Sequence, residues 1–149
     1  MISSHKIPVI QTALNNGYYI PVKISASTTF AAAAITIGVS SYSFAGASQC
    51  MGFGREVFYR MYDQQARWNY DGSPKSASDG KMYSIKASST SYSASSIKGV
   101  ISKAKPGDVL QMNKPKMHTM IFVSSDADGF TVYDANWTAA NTVSVRYVK

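Results

Sequence analysis

Two residues of this chain belong to the types that together activate a nucleophile. They are Cys50, the single cysteine, and His118, one of only two histidines. A thiol attacks a carbonyl carbon as its thiolate, and a neighbouring imidazole can accept the thiol proton. A third polar group then holds the imidazole through its other ring nitrogen. The two residue types predict a cysteine nucleophile, provided that the fold brings Cys50 and His118 together.

Cys50 lies at the start of a predicted helix. The apolar residues from this point fall at helical spacing, and they are Cys50, Phe53, Val57, Phe58, Met61 and Tyr62. Ser48, just before the run, is a typical N-cap residue. The unpaired backbone N–H groups of a first helical turn stabilise a thiolate and lower its pKa. The alternative interpretation is that Cys50 is only a small buried core residue.

The C-terminal part of the chain changes to a period of two, which is typical of strands. Four strand-like runs cover residues 108–112, 118–124, 130–134 and 142–148. Residues 125–129 predict a five-residue hairpin loop between the second and third runs.

The hairpin predicts which polar residues face His118. With Ser124 opposite Phe130, Asp134 becomes a diagonal neighbour of His118, and Asn136 lies directly opposite it. All three side chains then share one face, because side chains alternate along a strand. The alternative is an edge histidine beside an aspartate and an asparagine that only form a turn.

Between these parts, the sequence predicts a loop over 63–81, a serine-rich stretch over 82–96 with a short strand, and an amphipathic helix over 95–105. Residues 1–24 predict a short element, a turn and a strand. The apolar stretch 28–39 is too short to cross a membrane. We expect it to be folded, and the alternative is a signal peptide cleaved after Ala47. We therefore expect one α+β domain over 1–149, with N-terminal helices that carry the cysteine against a C-terminal antiparallel sheet.

Composition limits the kinds of partner and cofactor that we expect for this protein. The 149 residues carry a net charge of +7, so the surface attracts polyanions such as nucleic acid, an anionic cell wall or an anionic membrane. No RNA-binding signature is present, and we expect no nucleic-acid partner and no membrane insertion. Cysteine and histidine are too few for a zinc cluster and no phosphate-binding glycine loop occurs, so we expect neither metal nor cofactor. The oligomeric state stays open, with a monomer as the expectation.

Four blocks of the sequence, in this order and at this spacing, resemble CHAP domains, the cysteine, histidine-dependent amidohydrolases/peptidases of bacteria and their phages. The blocks are 49–53 (QCMGF), 105–110 (KPGDVL), 118–123 (HTMIFV) and 132–137 (VYDANW). The resemblance covers residues 44–148 and implies a papain-like fold. It implies Cys50 as nucleophile, His118 as general base and Asp134 as the residue that orients His118, with Asn136 as an auxiliary polar partner. Residues 1–43 are atypical of such domains, and the acidic calcium-binding loop of some relatives is not evident.

The resemblance implies a secreted or cell-wall-associated enzyme that cleaves amide bonds in peptidoglycan through a thioester. The backbone N–H of Cys50 would bind the oxyanion, with Gln49 as a second donor. Two alternatives stay open: a papain-like protease that acts on proteins, and a catalytically silent wall- or glycan-binding module whose tyrosines stack on sugars.

Overall fold

The computed structural model of the chain describes residues 43–140 and 143–149. The predictions for residues 1–24 and 28–39, including the signal peptide, lie outside the described residues. Within the described part, two α-helices accompany a four-stranded antiparallel sheet, which confirms the predicted α+β class. None of the helices in these ranges is long and apolar enough to span a membrane.

The elements follow one another in a simple order. They are β1 (Ser43–Phe44), β2 (Ala47–Ser48), α1 (Gln49–Tyr62), a 3-10 helix (Asp79–Lys81), α2 (Ala94–Ile101), β3 (Val109–Met112), β4 (His118–Ser125), β5 (Phe130–Ala135) and β6 (Val143–Val148). Strands β1 and β2 form a small hairpin just before α1. Strands β3 to β6 pair in sequence order, each antiparallel to the next. All four predicted strands are therefore present, and the ends of each agree with the prediction to within one residue.

Helix α1 begins where the sequence predicts, but the predicted side-chain cap does not form. Ser48 is the N-cap residue, but its side chain makes no capping hydrogen bond. Gln49 instead adopts a left-handed backbone conformation, with φ of 55°, which is uncommon outside glycine. The chain therefore turns sharply one residue before Cys50. At the other end Asp63, with φ of 59°, donates its N–H to the carbonyl of Tyr59 at 2.7 Å and closes the helix.

The nine residues that follow Gln49 are all buried, so every face of this part of α1 is covered. All residues of 50–58 are buried, including Arg55 and Glu56. The helix lies between the sheet, where it contacts β4 and β5, and the β1–β2 hairpin. The predicted apolar positions Phe53, Val57 and Phe58 are buried as expected. The helix is therefore a central element of the core and not an amphipathic surface helix.

Glycine at position 54 allows α1 to approach the sheet. A Cβ atom at Gly54 would lie 2.4 Å from Cγ2 of Thr119, which is far inside van der Waals contact. Thr119 is itself completely buried on β4, next to His118. The absence of a side chain at Gly54 therefore brings the helix that carries Cys50 against the strand that carries His118.

The register between β4 and β5 agrees with the prediction at Asp134 and differs near the loop. Met120 pairs with Asp134, as predicted. Near the loop, however, Phe130 pairs with Ser125 and not with Ser124, so the predicted five-residue loop is a four-residue loop. A register shift between Phe122 and Ser124 adds one residue to β4 and compensates for the shorter loop. The two deviations cancel before the strands reach Asp134.

The middle of the chain differs more from the sequence interpretation. Helix α2 ends at Ile101 and not at residue 105, and Ser93 caps its N-terminus by accepting a hydrogen bond from the backbone N–H of Ser96. The short strand predicted within 82–96 is wrong, because the structure has no strand there. A run of serines has weak strand propensity, and its hydroxyls instead bond nearby backbone groups, as Ser89 does with Ser91.

Candidate active site

The first contact of the candidate site joins the two strands β4 and β5. Nε2 of His118 lies 2.9 Å from Oδ2 of Asp134, and both side chains are buried. This is the diagonal neighbour that the hairpin predicted, because Met120 and not His118 pairs with Asp134 across the strands. The Asp134 bond uses one ring nitrogen of His118 and leaves Nδ1 as the nitrogen that can exchange a proton with another group.

Cys50 and His118 interact closely enough for each to change the pKa of the other. Burial raises the pKa of the Cys50 thiol, whereas hydrogen bonding and charge from His118 lower it. A hydrogen bond from the backbone N–H of Thr119 lowers it further, and the net pKa lies below its ordinary value. Cys50 is 7% exposed and forms no disulfide. The environment therefore favours the thiolate, as the position of Cys50 at a helix N-terminus also does.

The imidazole shifts in the opposite direction. Burial lowers the pKa of His118, but the hydrogen bond to Asp134, together with the bonding and charge of Cys50, raises it above the ordinary value. The lowered pKa of the thiol and the raised pKa of the imidazole both favour the charged forms, which together are a thiolate–imidazolium pair. Cys50, His118 and Asp134 are therefore brought together with the electrostatics that a cysteine nucleophile needs.

Asp134 is held as a carboxylate by more than His118. Arg146 on β6 donates from Nε and Nη2 to Oδ2, at 2.7 and 2.5 Å, and Ser144 donates to Oδ1 at 3.2 Å. Burial raises the pKa of Asp134, but the bonds from His118 and Arg146 and the charge of Arg146 lower it below the ordinary value. A buried carboxylate of this kind stays ionised at neutral pH, and its charge is available to the imidazolium.

Trp137 packs against two members of this cluster, His118 and Arg146. Its ring centroid lies 4.8 Å from that of His118, and the guanidinium carbon of Arg146 lies 4.4 Å from the same indole centroid. His118 and Asp134 are both buried, and a low local dielectric strengthens the hydrogen bond between them. The sequence singled out Trp137 only as part of a motif block, without a role.

Tyr70 approaches the thiol from the loop that follows α1. Its hydroxyl oxygen lies 3.8 Å from Sγ of Cys50. Burial and the charge of Cys50 raise the pKa of Tyr70 to about 12, so the phenol keeps its proton at neutral pH. It can therefore donate a hydrogen bond towards a thiolate or towards an oxyanion formed beside it. The sequence interpretation treated this region as a turn, and nothing in the spacing indicated a tyrosine that returns to Cys50.

The two remaining predicted residues are placed less centrally. Strand β5 ends at Ala135, and Asn136 adopts a left-handed conformation with φ of 62°. The predicted cross-strand pair between Asn136 and His118 is therefore wrong, because the chain leaves the sheet before it reaches that position. Gln49 is exposed and lines a cavity next to Tyr70. Its role as an oxyanion donor stays a prediction.

Arg146 was not identified from the sequence as a residue of the site, because its contact depends on strand pairing between distant segments. It lies on the fourth strand, two strands away from His118, and its contact depends on the pairing of β6 with β5. The pairing of Asp134 with Ser144 places the side chains of 144 and 146 on the Asp134 face of the sheet. A full pairing scheme for all four strands would have placed it there.

Within residues 43–140 and 143–149, no group of three or more histidine, cysteine, aspartate or glutamate side chains is arranged to hold a metal ion. No protein-family model, no curated protein and no solved structure matches this chain.

Proposed function

We propose that this protein is a cysteine hydrolase that cleaves amide bonds in bacterial peptidoglycan. The observation that carries the proposal is the position of His118, which bonds Asp134 at 2.9 Å and interacts with the Cys50 thiol as well. The opposite pKa shifts of Cys50 and His118 are those of an activated thiol and not of a core cysteine. A structural cysteine packed among apolar groups would have a raised pKa.

The chemistry follows from the protonation states of the pair. The Cys50 thiolate attacks the amide carbonyl carbon, and a C–S bond forms as the carbonyl electrons move to oxygen. The His118 imidazolium then gives its proton to the amide nitrogen, the C–N bond breaks, and a thioester remains. Water next attacks the thioester while His118 accepts its proton, and the thiolate leaves with the C–S electrons. Asp134 stabilises the imidazolium and fixes the ring.

The oxyanion has three candidate donors at or beside the nucleophile. The backbone N–H of Cys50 is one of the first N–H groups of α1, which lack partners within the helix. The Tyr70 hydroxyl, which keeps its proton and lies 3.8 Å from Sγ, is a second, alongside the predicted side chain of Gln49. We assign the Cys50 N–H the main role, because its position is fixed by the helix.

The choice of peptidoglycan rests on the sequence more than on the geometry. The CHAP resemblance, the papain-like placement of a helix-borne cysteine against a strand-borne histidine, and the net charge of +7 on a protein that would act on an anionic wall all favour it. The same three residues would also serve a protease that acts on proteins, so the test must include both substrates.

The test is digestion of purified peptidoglycan, with the new termini identified by mass spectrometry. We expect new amine and carboxyl termini with the wild type and none with Cys50→Ala or His118→Ala, after circular dichroism has shown that both variants fold. Digestion of casein but not of peptidoglycan, lost in the same variants, would replace the wall by protein as substrate. Cleavage of neither substrate, or cleavage that survives Cys50→Ala, would contradict the proposed function.

A further inference from the structure

A cavity of about 280 Å³ lies beside the candidate nucleophile. Its lining includes Ser48, Gln49, Arg55, Asn69, Tyr70 and Lys75. Tyr70 joins the cavity to the active site, because its hydroxyl lies 3.8 Å from Sγ of Cys50. Gln49 and Met51, the sequence neighbours of Cys50 on either side, also line the cavity. A group bound there would therefore lie next to the bond that Cys50 attacks.

The charge of the cavity is positive. Arg55 and Lys75 are the charged side chains among its lining residues, and no described acidic residue lines it. Asp79, the acid that raises the pKa of Arg55, already bonds Arg67 and Ser76. The cavity also lies at the N-terminus of α1, where the helix dipole adds partial positive charge.

Arg55 is held in place more firmly than a surface arginine. It is 1% exposed, and it donates from Nη1 to the carbonyl of Ala45 and from Nη2 to that of Trp68, both at 2.8 Å. Its Nε has no hydrogen-bond partner among the described residues. Carbonyl dipoles orient a guanidinium without neutralising it, so Arg55 is a fixed positive charge beside the cavity. Lys75 is exposed and can reach a ligand directly.

We propose that this cavity is a subsite for a carboxylate-bearing residue of the substrate, adjacent to the scissile amide. The inference rests on the proposed function and names the substrate class: peptides with an anionic residue next to the cleaved bond. A volume of about 280 Å³ is close to the lower limit of ligand pockets and suits a single residue. Lys75 contacts the carboxylate, and the fixed charge of Arg55 contributes to the potential that attracts it.

The test uses Cys50 itself as the reporter and requires no turnover. Two thiol reagents, the N-iodoacetyl derivatives of glutamic acid α-amide and of glutamine α-amide, differ only in one side-chain carboxylate. The rate of Cys50 modification by each is measured by intact mass, and the ratio of the two rates is divided by the same ratio for N-acetylcysteine. We expect the anionic reagent to be favoured in the wild type.

Substitution of Lys75 decides the proposal. Lys75→Met should reduce the normalised ratio about fivefold, which is the effect of one exposed charge contact, and Lys75→Glu should reduce it further. Lys103→Met is the matched control, because it removes the same charge from an exposed residue that follows α2 and does not line the cavity. Its ratio should equal that of the wild type. A wild-type ratio near one, or a ratio that Lys75→Met leaves unchanged, would overturn the subsite.

This experiment separates the two proposals. If neither peptidoglycan nor casein is digested but the ratio depends on Lys75, the hydrolase assignment fails and the anion subsite stands. If peptidoglycan is digested and the ratio does not depend on Lys75, only the subsite fails.

Discussion

The β4–β5 hairpin has an aspartate near each end, and the two have opposite roles. Asp126, in the loop, is exposed and accepts hydrogen bonds from the backbone N–H groups of Asp128 and Gly129 and from the Tyr147 hydroxyl. Asp134, at the other end, is fully buried and bonds His118 and Arg146. Both carboxyl groups have pKa values below the ordinary range. A lowered pKa therefore does not by itself identify a functional aspartate.

What distinguishes the two is the chemistry of their partners. Asp126 is bonded by donors that cannot take part in proton transfer at neutral pH, and the result is a well-formed turn. Asp134 is bonded by an imidazole that also interacts with the single thiol. The sequence left open whether Asp134 was a turn former or a catalytic partner. The structure places a turn-forming aspartate at the loop end, and the buried one beside His118.

Replacing Asp134 and Asp126 in turn by asparagine tests this comparison. The largest loss of turnover is expected for Asp134→Asn. Asp134→Asn should lower turnover about 100-fold, because the amide cannot stabilise the imidazolium by charge. The loss of the negative charge lowers the pKa of His118, so the alkaline limb of the profile of kcat/KM against pH should move to lower pH. Asn136→Ala should have a smaller effect than Asp134→Asn, because Asn136 lies beyond the end of β5. Steady-state kinetics of both variants across the pH range measure the two losses of turnover and the shift of the alkaline limb.

A reversal would change the assignment. If Asp134→Asn retained the rate and the pH profile while Asn136→Ala lost activity, Asn136 would orient His118. Asp134 would then be only the anchor of Arg146.

A pair of glycine substitutions tests whether the two halves of the site depend on close packing. Gly54→Ala should destabilise the protein by about 2 kcal/mol, because its Cβ would lie 2.4 Å from Cγ2 of the buried Thr119. Since α1 carries Cys50, the variant should also lose activity. Gly99→Ala on α2 is the control, because a Cβ there meets no atom within 4 Å. It should stabilise the protein by about 0.5 kcal/mol through helix propensity.

Urea denaturation and turnover measure both glycine variants. A Gly54→Ala protein with unchanged stability and unchanged activity would show that α1 and β4 need not approach as closely as described.

The smallest effect is expected at the loop end of the hairpin. The Asp126 carboxylate accepts a hydrogen bond from the Tyr147 hydroxyl at 2.7 Å, and this bond is the leading cause that raises the pKa of Tyr147 to about 12. Asp126→Asn should lower that pKa, because the neutral amide no longer disfavours the phenolate. Turnover should stay within about twofold of the wild type, since exposed polar groups contribute little. Titration of ¹³C-labelled tyrosine by NMR measures the pKa, and a large loss of turnover would contradict the comparison.

Local patterns predicted the parts of the fold that depend on nearby residues. The helical spacing from Cys50 and the alternation in the four C-terminal runs identified α1 and strands β3 to β6, and the hairpin register placed Asp134 beside His118. This register was right although the loop length was wrong, because the bulge in β4 compensates for the shorter loop. Bulges depend on tertiary packing and have no clear signature in a single sequence.

The parts that the sequence missed come from contacts between distant segments. Arg146 reaches Asp134 from another strand, and Tyr70 reaches Cys50 from a loop 20 residues away. Asn136 was wrongly paired with His118 because strand alternation cannot indicate where a strand ends in a left-handed turn. Cross-strand geometry extends only as far as the ladder does, and side chains beyond it require the fold itself.

The central claim is that Cys50 is a thiolate paired with protonated His118 at neutral pH, and the pH dependence of its alkylation by iodoacetamide tests this most directly. Cys50 is the only cysteine, so intact mass reports a single site, and the same protein unfolded in urea supplies the reference. In the folded wild type, the account predicts a half-maximal rate at a pH below the ordinary thiol pKa of about 8.5, and a shift to higher pH in His118→Ala. A folded wild type that titrates at or above the unfolded reference, with no change in His118→Ala, would contradict the account.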